Sequence, residues 1–461
     1  MFVSSSAPSP RRLPFIGHSW HYARDPLGFL TRAAQDCGDV VQLHFPGMPT
    51  YLLVDAADIE DVCIKQAKHF RKDRVIRQTL DALGGGLILA EGADWRRQRR
   101  IVQPMFHNAA IRGYGDTMVR MTRETASQWQ TGAAFALDGE LMRLTLLIAA
   151  EVLFGADMTD DVLEIKRAVD VYMELALGIG QTGIRIPMAI PTPGNIRARR
   201  ARQRVDALVY RMIRELRVRP GERDDVLTRL LAARDQDGIP LSEERVRDEV
   251  LTLLLTGHET TALGTTYAMW LLARHPEVQQ QVADEARRVL GDRPATAADV
   301  PSLPLAEAVS LEALRLYPPV WATGREAITD CRVAGIDVTR GTQIFFAQWV
   351  NHRHPRYFSK PLSFHPERWL GGLSGTLPKY AFFPFGGGQR TCVGASFSMM
   401  ESVLMIATLL QHCALELVDR APLDLEASVT LRPKQAILVR AHERHPTRAT
   451  TGRNPRPRSE P

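Results

Sequence analysis

The stretch Phe-Pro-Phe-Gly-Gly-Gly-Gln-Arg-Thr-Cys-Val-Gly, from Phe383 to Gly394, limits what this chain can fold into more than any other. It sets one cysteine, Cys392, behind three consecutive glycines and directly ahead of an apolar segment, Ala395 to Gln411, that has neither Pro nor Gly. Apolar residues at Phe397, Met400, Val403, Leu404, Ala407 and Leu410 recur at helical spacing, with Glu401 the only charge, so the segment predicts a helix. Cys392 then stands at a helix N-terminus, where unpaired backbone N–H groups and the positive end of the helix dipole favour thiolate over thiol. Gly386, Gly387, Gly388 and Gly394 would let backbone pass close to a large flat object where a Cβ would collide. A thiolate with backbone donors around it and a glycine platform beside it suits an axial ligand of haem iron. The residues alone leave a second reading open, a glycine-rich turn with an ordinary buried cysteine.

With 461 residues, 45% hydrophobic and 24% charged, the composition is that of a globular protein with a large core. Cys37, Cys63, Cys331, Cys392 and Cys413 are odd in number and lack C-x-x-C spacing, which argues against a disulfide framework or zinc site and for a reducing compartment. No apolar run reaches signal-peptide or membrane-span length, and Leu144 to Ala150 is bounded by Arg143 and Glu151, so a cytoplasmic location is expected. The net charge of +6 does not indicate nucleic acid: five arginines against Glu443 and Glu460, between Ala441 and Pro461, carry about half of it. Zinc-finger spacing and aromatic RNA-binding motifs are absent.

Read in order, Val40 to Phe45 and Thr50 to Val54 predict a hairpin, and Asp55 to Lys68 a helix. Arg74 to Gly92, with Gly84-Gly85-Gly86 inside it, is expected to be a long irregular loop of the functional kind. Trp95-Arg96-Arg97-Gln98-Arg99-Arg100 opens a helix with Trp95 and Arg99 on one face and Arg96, Arg97 and Arg100 on another. Phe135 to Leu153, Val162 to Leu177 and Ile196 to Arg217 predict helices, Ile184 to Gly194 a Pro-rich break and Pro220 to Arg223 a loop. The longest helix, Leu241 to Ala273, has Ser242 as its N-cap without a capping-box partner, since Arg245 stands three residues on. At its middle, Thr256-Gly257-His258-Glu259-Thr260-Thr261 works against both helix propensity and core burial. Leu305 to Tyr317 is a further helix, with Glu312 and Arg315 a helical turn apart. Val333 to Val338 and Gln343 to Ala347 read as strands.

Phe385, Gly388, Arg390, Cys392 and Gly394 match every fixed position of the Phe-x-x-Gly-x-Arg-x-Cys-x-Gly signature of the cytochrome P450 monooxygenases, which this chain therefore resembles. Four further motifs accompany it in the family's order: Trp95 with Arg99, the Gly257–Glu259–Thr260 segment, Glu312 with Arg315, and Pro366-Glu367-Arg368-Trp369. Thr256 departs from the small residue usual at its place. The resemblance covers about Pro14 to Arg440. It implies a single mainly α fold with small β-sheets (α+β), a triangular helical prism with a minor β-rich region. Residues 1–12 and 441–461 are then expected to be disordered tails flanking a haem domain over residues 13–440.

By the same resemblance, the cofactor is haem b, Cys392 is its metal ligand, and Trp95, Arg99, Arg325 and Arg390 anchor its propionates. Phe385, Gly388 and Gly394 shape the cysteine loop, and Glu312, Arg315 and Arg368 cluster to support it. Glu259 and Thr260 are the acid–alcohol pair that delivers protons to the distal oxygen. The implied reaction inserts one oxygen atom from dioxygen into a hydrophobic small molecule such as a terpenoid, fatty acid or polyketide. Nothing in the chain resembles flavin, NADPH or iron–sulfur binding, so electrons are expected from a separate ferredoxin or flavodoxin with its NAD(P)H-dependent reductase, Arg96, Arg97 and Arg100 facing that donor. The protein is expected to be a monomer. A peroxide-driven haem-thiolate enzyme and a non-catalytic haem-binding protein are the rival readings.

Overall fold

One helix, Glu243–Arg274, crosses the interior and organises what packs around it. Ser242 caps it as expected, its side chain accepting the Arg245 N–H at 3.2 Å, and Glu243 and Glu244 in the first turn suit the helix dipole. The computed structural model describes residues 7–80, 84–155, 171, 190–218 and 225–444. The expected helix Val162 to Leu177 and the loop Pro220 to Arg223 lie outside the described residues, Val171 excepted, as does most of the break at Ile184 to Gly194.

Against the central helix pack Leu137–Phe154, Pro304–Leu316 and the helix that follows Cys392, Ala395–His412. The last contact includes two hydroxyl pairs. Thr261 Oγ1 and Ser398 Oγ share a hydrogen bond of 3.0 Å, and Thr265 and Ser402 one of 3.1 Å. Side chains on these helices form the largest apolar core, including Leu144, Leu254, Tyr267, Val309 and Leu404.

The β-rich part is a five-stranded sheet of β1 (Val40–Phe45), β2 (Met48–Leu53), β3 (Phe70–Lys72), β4 (Thr323–Ala327) and β5 (Gln343–Phe346), in the order β1-β2-β5-β4-β3. β1 and β2 form the expected hairpin, in register from Val40 opposite Leu53 to Phe45 opposite Met48. β2 pairs parallel to β5, while β4 is antiparallel to both β5 and β3. This sheet therefore brings Lys72, at the end of β3, directly opposite Arg325 on β4.

Three expectations are corrected. Arg74–Thr79, expected to be irregular, is a helix whose Asp73 cap accepts the Ile76 N–H at 2.9 Å. Val333 to Val338 is not one strand but a hairpin, Cys331–Val333 with Ile336–Val338, whose turn residues Ala334 and Gly335 have φ of 50° and 77°. The folded region also outruns both expected ends. Pro8 accepts the Gln42 N–H at 2.8 Å, and the strand Leu438–Glu443 pairs with Cys413–Leu417 beyond the predicted boundary at residue 440. Among the described residues no helix is long and apolar enough to cross a membrane.

Candidate active site

In the central helix, Val246 to Leu255 and Thr261 to Ala273 are buried throughout, and the accessible residues between them are Thr256, Gly257 and Thr260. Positions 256 and 260 are one turn apart, so the opening is a narrow stripe on one helix face. A Cβ on Gly257 would meet no atom within 4 Å, so open space lies over it. The threonines satisfy their hydroxyls inside the helix by donating to the carbonyls four residues back: Thr256 to Thr252 at 2.7 Å, Thr260 to Thr256 at 2.8 Å and Thr261 to Gly257 at 3.0 Å. Because Thr260 spends its proton on that carbonyl, its remaining lone pairs are left to accept from whatever occupies the open side.

Glu259, one residue away, points elsewhere and is 1% exposed. Its Oε1 accepts from Thr430 Oγ1 and from Arg432, whose Nε lies at 2.8 Å and Nη2 at 2.7 Å. Its other oxygen, Oε2, is buried without a partner. Thr430 and Arg432 belong to the hairpin of Leu425–Ala427 and Leu431–Pro433, and no sequence motif announces them.

The cysteine loop is held from several sides. Phe385 C=O accepts the Cys392 N–H at 2.9 Å, Phe383 C=O accepts the Gly386 N–H at 2.9 Å, and Arg99 Nη1 donates to Thr391 C=O at 2.8 Å. Cys392 is densely surrounded by protein yet keeps an accessible surface, as a side chain on the wall of an inner recess does. Desolvation raises its pKa, against which the Gly394 N–H, Arg99 and Lys72 pull it down. Burial thus opposes the thiolate that the helix start favours. A coordinated metal ion is what deprotonates such a thiol outright.

The glycines divide in two. Gly387 and Gly388, the latter at φ 66°, are required by the protein itself, since Cβ atoms there would strike the Tyr380 hydroxyl and the Cys63 carbonyl. Gly386 is set by its own backbone, at φ 67°, with Arg390 O the nearest atom at 4.0 Å, whereas Gly394 has an ordinary φ of −90° and a Cβ there would find nothing within 4 Å. Gly394, two residues from Cys392, leaves room that the protein does not fill.

Around the same recess gathers a cluster of cations. Arg390 lies over the buried Trp95 ring, 4.2 Å from its centroid, and donates to Ala90 C=O at 2.8 Å and to Glu91. Desolvation, together with Arg325 and Arg99, brings Arg390 down to about 10, with Glu91 opposing. Lys72, which the sequence reading passed over, is lowered further, to about 7, by desolvation and by Arg325 and Arg390. Arg325 donates to Gly324 C=O at 2.7 Å and sits 5.7 Å from the Phe346 ring centroid. Lys72, Arg99, Arg325 and Arg390 thus have two acids among them, Glu91 beside Lys72 and Arg390 and Asp73 beside Lys72 and Arg325. The set is short of negative charge and fits a group carrying two carboxylates, as haem does, with Cys392 as the single protein ligand.

Behind the loop, Glu312 and Arg315 are fully buried and pair at 2.8 and 2.9 Å. Glu312 also accepts from Arg368 Nε at 3.2 Å, Trp369 Nε1 at 2.9 Å and the His365 N–H at 2.9 Å. Arg97, expected to face an electron donor, instead pairs with Asp235 at 2.7 Å, leaving Arg96 and Arg100 as the exposed pair on that helix. A broad depression of about 920 Å³ between Gly115–Ser127, Arg293–Thr296 and residues 441–444 contains none of these residues, and its many charges suit no apolar ligand.

A helical fold with an accessible cysteine at a helix start, beside a cluster of buried cations, fits a haem-thiolate protein. The cytochrome P450 family model matches residues 7–440. Cyclooctatin synthase of Streptomyces melanosporofaciens is 35% identical over 406 residues, covering 87% of this chain and 88% of that protein. Pentalenene oxygenase of Streptomyces avermitilis is 30% identical over 449 residues, covering 96% and 98%. Cyclooctat-9-en-7-ol 5-monooxygenase of S. melanosporofaciens is 32% identical over 403 residues, 87% of each. The crystal structure of the cytochrome P450DA heme domain superposes with a TM-score of 0.86 at 26% identity, covering 96% of this chain and 99% of that one. The chain belongs to the cytochrome P450 family and is a P450 monooxygenase.

Proposed function

We propose that the protein inserts one oxygen atom from dioxygen into an apolar, polycyclic terpenoid, using electrons from a separate ferredoxin or flavodoxin and its NAD(P)H-dependent reductase. The observation that carries this reading is the accessible Thr256–Gly257–Thr260 stripe with the ion-paired Glu259 beside it, on a helix tied by Thr261 and Ser398 to the helix that follows Cys392. The names of the relatives, which specify pentalenene and cyclooctat-9-en-7-ol, point to the substrate class. The half-buried Ile88, Leu89, Val320 and Ala322 are apolar, and we assign them to the substrate pocket as residues that offer a carboxylate no partner.

In this reading Cys392 ligates the iron, and Trp95, Lys72, Arg99, Arg325 and Arg390 hold the propionates. Haem b, when bound, supplies dioxygen activation. The chain's own residues govern protons and water. Thr260 Oγ1, its hydrogen committed to Thr256 C=O, accepts and orients an ordered water on the open face of the helix. Glu259 Oε2, the oxygen left free by Arg432 and Thr430, is the atom at which a proton is held before transfer. Apolar lining keeps further water out, so that protons arrive by this route and not by flooding.

The test is turnover of a panel of cyclic terpenes with NADPH and a surrogate ferredoxin–reductase pair under isotopically labelled dioxygen. One labelled atom per product is expected, and Cys392→Ser should lose the red-shifted band of the ferrous carbonyl complex. Equal turnover with hydrogen peroxide alone, or a Cys392→Ser variant that keeps the band, would refute the reading.

A further inference from the structure

His352 has zero exposure, and every polar group it carries is engaged. Its N–H donates to Gln348 C=O at 2.9 Å, and its C=O accepts from Arg315 Nη1 at 2.9 Å. On the ring, Nδ1 lies 3.4 Å from Leu314 C=O and Nε2 lies 3.0 Å from the Phe383 nitrogen. A backbone N–H can only donate, so Nε2 is the acceptor and the ring proton sits on Nδ1, towards Leu314. Burial, with Arg353 and Arg315 nearby, keeps the imidazole neutral, as this arrangement requires. The rings of Phe382 and Phe383 close over it at centroid distances of 4.9 and 5.3 Å.

Phe383 is the first residue of the cysteine loop. Its carbonyl receives the Gly386 N–H, and two residues later the Phe385 carbonyl receives the Cys392 N–H, each at 2.9 Å. The buried Glu312–Arg315 pair touches neither Phe383 nor Cys392 through a hydrogen bond; Arg315 reaches the loop by way of His352. We infer that His352 is a positioning residue for Cys392, transmitting the fixed geometry of the Glu312–Arg315 pair to the ligand loop through its bond to the Phe383 N–H. The inference rests on Cys392 being the haem ligand. It adds a residue that acts through one acceptor nitrogen, so its loss should be repaired by another acceptor of similar reach.

Two variants decide it. His352→Leu keeps an apolar side chain of comparable size and leaves the Phe383 N–H unpaired; His352→Gln offers Oε1 as a replacement acceptor. Amide hydrogen exchange across residues 383–392 is measured in the haem-free protein, alongside the ferrous carbonyl spectrum of the loaded enzyme and the circular dichroism of both. His352→Leu should exchange about tenfold faster at Phe383 with unchanged helix content. It should also convert part of the carbonyl complex to the blue-shifted form, and His352→Gln should restore both properties towards the parent. Parent-like exchange in His352→Leu, or a His352→Gln variant that behaves like it, would overturn the inference. Should His352→Leu not accumulate as folded protein, His352→Gln decides: parent-like protection at Phe383 supports the role, and faster exchange removes it. A parent enzyme without the red-shifted band would fail the haem-ligand reading separately, since the exchange measurement does not depend on it.

Discussion

Replacing Glu312 by Gln keeps the side chain's shape and removes its charge. In the folded protein that carboxylate takes two bonds from Arg315, at 2.8 and 2.9 Å, and one each from Arg368, Trp369 and the His365 N–H. Arg315 has no exposure, and Arg368 has 10%. With the acid gone, two guanidinium groups face each other across an amide that cannot accept five donors. Arg315 keeps its bonds to His352, Pro361 and Ser363 carbonyls at 2.9, 2.6 and 3.1 Å, so its hydrogen bonding is only partly lost, but its charge is uncompensated. Breaking such a buried pair from one side costs about 3–5 kcal/mol. Against a typical margin of about 5–15 kcal/mol, that lowers the folded-to-unfolded ratio by about a hundred- to a few-thousand-fold. Urea unfolding followed by tryptophan fluorescence, with haem content in parallel, measures it. A double change, Glu312→Leu with Arg315→Met, should recover part of the loss, because it removes the fully buried charge and leaves only Arg368, which keeps its bond to the Ser359 carbonyl, without its acid. A single variant within about 1 kcal/mol of the parent, or a double variant no better than the single, would refute the argument that uncompensated charge is what costs.

Thr260→Ala removes a hydroxyl and little volume, so substrate should still perturb the haem spectrum while product formed per NADPH consumed falls and hydrogen peroxide rises; an unchanged ratio would take Thr260 out of proton delivery. Arg96→Glu with Arg100→Glu should slow reduction by an acidic ferredoxin at low salt, the difference fading once screening shortens to about 8–10 Å, with haem content unchanged; equal low-salt rates would place the donor elsewhere. Burial pushes Glu249 up to about 7 from its ordinary 4.5, with Asp248 and Asp94 reinforcing and the Leu87 N–H and Arg245 opposing. The folded state therefore binds this proton more tightly than the unfolded one, and Glu249's contribution is complete below pH 4.5 and lost as pH rises through about 7. Proteolytic protection of the Gly84–Leu89 segment, which Glu249 holds through Leu87, should fall over that window, and Glu249→Gln should flatten the profile.

What the sequence made legible was whatever lies in short, chemically unusual runs. The loop from Phe383 to Gly394, the polar break at Thr256–Thr261 and the Glu312–Arg315 spacing each violate the residue pattern around them, and each belongs to the candidate site or its support. Lys72, His352 and Arg432 were not legible, because each acts across the chain: Lys72 opposite Arg325 in a sheet, His352 on Phe383, Arg432 on Glu259. Nothing local marks Lys72 among its basic neighbours or His352 in the polar run Asn351-His352-Arg353-His354. The glycine run misled for a related reason. Gly387 and Gly388 answer to Tyr380 and Cys63, partners that only the fold supplies. Arg97 likewise looked free until Asp235 came to meet it.

The hydroxyl pairs Thr261–Ser398 and Thr265–Ser402 join the segment bearing Thr260 to the segment that begins just after Cys392. Neither pair involves the Gly84–Leu89 loop or the Thr430 hairpin, which come from distant parts of the chain. Reactivity and recognition are in that sense separately housed. Variation in the loops can re-shape which molecule is admitted while the register between the two bonded helices stays as it is. Diversification of such an enzyme, in nature or by selection in the laboratory, would then be tolerant at the rim and intolerant along the four small hydroxyl-bearing positions whose bonds set that register.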